Sequence, residues 1–163
     1  MANPEHIELV KQGAKAVNKF TAEHPDVTID LSRADLSGLD LSRCRLQGAN
    51  LEGADLSRCD LRFARLNSAS LRGAVLRDAD ARDAGFHRAD FSGADLRGAL
   101  FNGIGTGEQR VCISPNTFQD AHWDRQRIED VLRYINLNSD WEVRYEIVPK
   151  SSGPPSGQRP RKA

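Results

Sequence analysis

Of the fifteen residues met at every fifth position from Leu31, fourteen are Leu or Phe. The row runs Leu31, Leu36, Leu41, Leu46, Leu51, Leu56, Leu61, Leu66, Leu71, Leu76, Ala81, Phe86, Phe91, Leu96 and Phe101. Two residues before each lies a second row: Ile29, Ala34, Leu39, Cys44, Ala49, Ala54, Cys59, Ala64, Ala69, Ala74, Ala79, Ala84, Ala89, Ala94 and Ala99. The remaining positions are mostly Asp, Asn, Ser, Arg and Gly, and no insertion breaks the frame. A period of five fits neither an α-helix, at 3.6, nor a plain strand, at 2. It fits a short extended step followed by a bend. Residues two apart in extended chain face the same way, so both rows point inward. Gly38, Gly48, Gly53, Gly73, Gly93, Gly98 and Gly103 recur where the bend must fall, at a backbone position that favours glycine.

If each pentad turns a quarter circle, four pentads close a square coil of about 20 residues, and coils stack at roughly 4.8 Å. The array is then just under four coils, on the order of 18 Å tall. Such a narrow interior suits a chain with only 6% aromatic residues. The late Phe residues need room, and Ala81 supplies it one coil below Phe101.

The segments "ADLSG", "ANLEG", "ADLSR", "ADFSG" and "ADLRG" resemble the A(D/N)LXX motif of the pentapeptide-repeat family. The resemblance covers nearly half the chain. It implies a mainly β fold, a right-handed quadrilateral β-helix of about four coils. Fold-level likeness alone says little about function.

A stacked array leaves unpaired backbone at both ends and needs caps. Residues 1–26 are expected to be a helical cap, 27–104 the β-helix, 105–150 a helix-plus-strand cap and 151–163 a disordered tail. In the first, Pro4 to Phe20 reads as a helix with Ile7, Val10, Ala14 and Val17 on one face. His24-Pro25-Asp26 breaks it. In the third, Val111 to Ile113 reads as a strand. Asn116 or Thr117 starts a helix whose stripe is Phe118, Ala121, Ile128, Val131, Leu132 and Ile135. Trp141, Val143, Tyr145 and Ile147 alternate as a second strand. The apolar face of this cap could instead pair with a second copy, giving a homodimer. The tail is rich in Pro, Gly and Ser with a basic end.

Candidate chemistry is thin. Asp35, Asp55 and Asp95 share one column, and Asp40, Asp60 and Asp80 share another. Stacked carboxylates could hold a hard cation. The simpler reading is that they accept from turn amides or pair with Arg, so no metal and no cofactor is expected. Arg62 stacks under Arg82, and Arg77 under Arg97, where like charges repel unless carboxylates intervene. Arg43, Arg45, Arg65 and Arg88 lie on neighbouring faces, and Phe63, Val75 and Leu100 are outward apolar exceptions. Gly103-Ile104-Gly105-Thr106-Gly107 lacks the residues of a phosphate loop and reads as an exit from the array. His6, His24, His87 and His122 carry no catalytic or metal spacing, and His87 reads as a solvated side chain. Cys44 and Cys59 read as inward fillers. Trp123 and Trp141 read as cap core.

Lys plus Arg and Asp plus Glu both number 23. That balance predicts no direct nucleic-acid binding. No run of 18 apolar residues predicts a membrane span, and no apolar leader predicts secretion. Three cysteines without CxxC spacing predict reduced thiols in the cytoplasm. The expected function is a non-catalytic protein-interaction or scaffold module whose partner is unknown. The candidate surface is Asp40, Asp60, Asp80, Arg62 and Arg82. The resemblance adds an alternative, a DNA-mimicking binder of gyrase or topoisomerase that protects against antibiotics. A repeat with no net charge counts against that.

Overall fold

The computed structural model describes residues 2–101 and 121–124. From Asp30 onward the chain closes a turn every 20 residues. Parallel bridges join Asp30 to Asn50, Asp35 to Asp55, Asp40 to Asp60 and Arg45 to Arg65, and continue up to Asp80 with Leu100. Each rung is a single bridged residue, flanked by bonds in both directions. Asn50 N–H donates down to Ile29 C=O at 2.9 Å, and Leu31 N–H donates up to Asn50 C=O at 2.8 Å. The register needs no long strand because each coil supplies one short extended step per face.

The corners follow from one backbone choice. Ala34 N–H closes onto Leu31 C=O at 3.1 Å, and the same bond recurs in later pentads. The residue before it is left-handed whether it is glycine or not: Gly38 has φ 70°, Arg33 and Phe63 have φ 59°. A turn with φ > 0 at its third residue is the type II geometry. Six corners use glycine, while Arg33, Arg43, Arg58, Phe63, Ser68, Asp78, Asp83 and Arg88 accept the strain, roughly 1 kcal/mol each.

Both apolar rows point inward. Leu31 through Leu76, Ala81, Phe86, Phe91 and Leu96 are all buried, and so is the small row except Leu39, which is half-buried. Phe101 is half-buried at the upper end. The large residues cluster there. Phe86 meets Phe91 edge-on with centroids 5.1 Å apart, and Phe101 lies 5.9 Å from Phe86 and 5.7 Å from Trp123.

The lower cap departs from the single helix expected. Two helices form, α1 (Pro4–Lys11) and α2 (Ala14–Glu23). The break is at Gly13, with φ 84° and ψ −179°, a conformation that only glycine adopts freely and no helix continues through. α1 starts well: Asn3 Oδ1 accepts from Glu5 N–H, and Pro4 occupies the first turn. Val10 and Val17 are buried, with Ile7 and Ala14 packed beside the core.

The upper end also differs. Ala121 to Asp124 is not helical. His122 bridges Asp95, donating to Ala94 C=O and accepting from Leu96 N–H, both at 2.8 Å. The in-frame partner of Asp95 would be residue 115, so His122 joins the ladder seven residues out of frame. Backbone pairing on the open rung outweighs the helical stripe containing Ala121. The other expectations for residues 102–120 and 125–163, including the strands, the remaining helix, the glycine exit and the tail, lie outside the described residues.

Candidate interaction surface

The coil has four faces, each bounded by two corners. The first stacks residues 30–34, 50–54, 70–74 and 90–94. The second begins at Asp35, the third at Asp40 and the fourth at Arg45. Any surface this protein offers is drawn from the outward residues of these faces.

The outward Asp residues are committed to the fold. Asp30, Asp35, Asp40, Asp55, Asp60, Asp80, Asp90 and Asp95 each accept from the N–H two residues on, and Asn50 does the same. This local bond is why Asp and Asn suit the position: the side chain replaces a turn acceptor.

The third face holds the sequence-predicted candidates together. Asp40, Asp60 and Asp80 form consecutive rungs. Arg62 Nη2 donates to Asp60 Oδ2 at 2.6 Å, and Arg82 Nη2 to Asp80 Oδ2 at 2.6 Å. Arg62 Nε also stands 3.8 Å from Asp80 Oδ2. Arg and Asp thus alternate up the face. These guanidinium bonds, with the turn amides, hold the Asp60 and Asp80 carboxyls below the usual carboxylate range. Arg97 and Arg77 share Asp95 on the second face, at 2.6 Å each. Asp95 is the most enclosed acid of the surface, 8% exposed, although its position reads as outward in the sequence. His87, read as solvated, is half-buried, and its N–H donates to Asn67 Oδ1 at 2.9 Å.

Two residues without a sequence signal finish the lower rung. His6 is buried, and its Nδ1 accepts from Asp30 N–H at 3.0 Å. Asn18 Oδ1 accepts from Arg45 N–H at 2.7 Å, and its Nδ2 donates to Arg43 C=O at 3.1 Å. Ala2 and Asn3 N–H donate to Ser32 and Asp30 C=O, both at 3.1 Å. Only a requirement to satisfy edge amides would have pointed to His6 and Asn18.

The charges are not evenly spread. Among the described residues, each of the first three faces carries one more carboxylate than arginine, whereas the fourth carries Arg45, Arg65 and Arg88 and no Asp or Glu. The two buried thiols play no part in the surface. Burial pushes Cys44 and Cys59 up to about 11. No described helix is long and apolar enough to cross a membrane.

Comparison with known proteins gives a consistent family. The model for pentapeptide repeats matches residues 29–62 and 59–98 in eight copies. Among solved structures, a pentapeptide repeat protein of the Arabidopsis thaliana thylakoid lumen is 27% identical, over 61% of this chain and 61% of that one, with a TM-score of 0.48. A pentapeptide repeat protein from Nostoc is 25% identical, over 69% and 97%, with a TM-score of 0.46. Full-length QnrB1, a plasmid-mediated fluoroquinolone resistance protein, is 17% identical, over 66% of each chain, with a TM-score of 0.36. This chain thus spans less than two thirds of the Arabidopsis and QnrB1 chains. No curated protein matches it. The repeat model, the unbroken five-residue frame and the 20-residue parallel register agree: residues 29–98 wind as a β-helix and are an array of pentapeptide repeats.

Proposed function

We propose that this protein is a non-catalytic protein-interaction module. The observation that carries the reading is the division of labour between inside and outside. The inward rows are consumed by packing, and the outward acids are consumed by turn amides and arginine forks. What remains is a rigid, four-sided outer surface, which is how stacked-repeat proteins meet their partners. The third-face ladder of Asp40, Asp60 and Asp80 with Arg62 and Arg82 is part of that surface. Thiols held as inert fillers suit a reducing compartment such as the cytoplasm.

Affinity capture from native lysate with the full chain, followed by light scattering, tests the proposal. A reproducible stoichiometric protein partner supports it, and no partner at any salt concentration refutes it. The charge pattern does not favour DNA mimicry. Duplex DNA presents an unbroken negative surface, whereas here Arg interleaves with Asp and one face is wholly basic. Undiminished gyrase supercoiling in the presence of excess protein would exclude that alternative.

A further inference from the structure

We infer that the fourth face and its leading corner dock an extended acidic segment of a partner protein. The inference rests on the interaction-module reading and assigns it a surface and a partner chemistry.

Two separate costs meet at this corner. The first is electrostatic. Arg45 and Arg65 are bridged on successive rungs, about one strand spacing apart, and like charges directly opposite destabilise a ladder. Arg62, Arg72, Arg77, Arg82 and Arg97 each face a carboxylate within 3.0 Å. Arg45, Arg65 and Arg88 are exposed and have no ion pair among the described residues; Arg33, Arg43 and Arg58 share both properties, but their faces carry carboxylates and the described fourth face carries none. The second cost is conformational. Phe63, on the corner beside Arg65, is left-handed at φ 59°, an outlier for a bulky side chain. It is also 49% exposed, the most exposed large apolar residue described. Arg43 lies over its ring, 4.8 Å from the centroid. Glycine fills the same corner position elsewhere without strain. Packing explains neither the stacked arginines nor the aromatic at this turn. Exposed aromatic and arginine side chains are the groups enriched at the centres of protein interfaces.

The occupant follows from charge and width. The patch is cationic and one strand wide. Its neighbours on either side carry a net negative charge. A nucleic-acid duplex would overlap those acidic faces, whereas an extended peptide fits one column. Alternate side chains of such a peptide recur at about 6.6 Å, so successive carboxylates can reach Arg45 and Arg65, while Arg88, at the far corner of the same face, adds to the positive potential. The chain's own end, with Arg159, Arg161 and Lys162, has the wrong sign.

Fluorescence anisotropy with a labelled (Glu-Ser) repeat peptide tests the inference on the full chain. The wild type should bind, and binding should weaken steeply with salt. Arg45→Ala with Arg65→Ala should lose tenfold or more, while Arg58→Ala on the second face should change it less than twofold. The double variant should melt at or above the wild-type temperature, since it removes a repulsion. Equal peptide binding by the double variant, or tighter binding of a single-stranded oligonucleotide than of the peptide, overturns the inference. Lysate capture separates the two levels. Partners retained by both Arg45→Glu/Arg65→Glu and wild type leave the interaction module standing and remove this surface. No partner for either removes the module itself.

Discussion

Arg45 N–H donates to Asn18 Oδ1 at 2.7 Å, where a coil below would have supplied a backbone carbonyl. One rung higher the equivalent amide, Arg65 N–H, finds Cys44 C=O at 2.9 Å. A side chain on a helix therefore stands in for a missing coil. Asn18→Leu should remove both of its bonds at similar volume and lower stability by about 1–2 kcal/mol. Hydrogen exchange should show the loss concentrated at Arg45 and its neighbours. Uniform exchange across the array would contradict a capping role.

Acid should act on the fold through Asp95. The Arg97 guanidinium, against the opposing effect of burial and with help from Arg77, holds its carboxyl well below the ordinary range. A carboxyl depressed in the folded state contributes stability that is full above the unfolded value, about 3.9, and is lost as pH falls towards the folded value. Asp95→Asn should therefore melt lower than wild type at pH 7. The gap should narrow as pH drops below about 4. A gap that is constant with pH would mean the carboxylate's charge contributes nothing.

Ala81 is fully buried one coil below Phe101, in a row otherwise filled by Leu and Phe. Ala81→Leu restores the repeat but should overpack the space beneath the Phe86, Phe91 and Phe101 cluster. The expected cost is about 1–3 kcal/mol, read by chemical denaturation. An unchanged midpoint would refute the compensation.

The corner glycines separate strain from crowding. At Gly38, φ is +70° and a Cβ would meet nothing within 4 Å. Gly38→Ala should cost about 1 kcal/mol, from conformation alone. At Gly98, φ is +73° and a Cβ would run into the Asp78 carboxylate. Gly98→Ala should melt lower than Gly38→Ala, and the reverse order would show that the corner around Asp78 yields freely.

Burial and a raised thiol make Cys44 and Cys59 poor nucleophiles. In a Cys112→Ser background, Ellman's reagent should titrate no thiol in the native protein. Two should appear in denaturant. Rapid native labelling would show that the coil opens.

The five-residue frame determined most of the architecture by itself. Period alone sends Leu51 and Ala54 to the same interior and fixes a corner before Ala54, because side-chain direction in extended chain alternates strictly. The turn role of the Asp positions was legible for the same local reason, since the bond from Asp60 Oδ1 to Arg62 N–H spans two residues. The ends were not legible. Gly13 splits a stripe that is continuous in sequence, and His122 joins the ladder seven residues out of frame. Both answer to unpaired edge amides, which have no sequence pattern of their own. The candidate surface divides in the same way. The Arg column positions follow from counting by 20, but their pairing does not. Whether Arg77 has a carboxylate, and Arg65 none, depends on which side chains the stacked coils bring within 4 Å, and only the tertiary structure decides that.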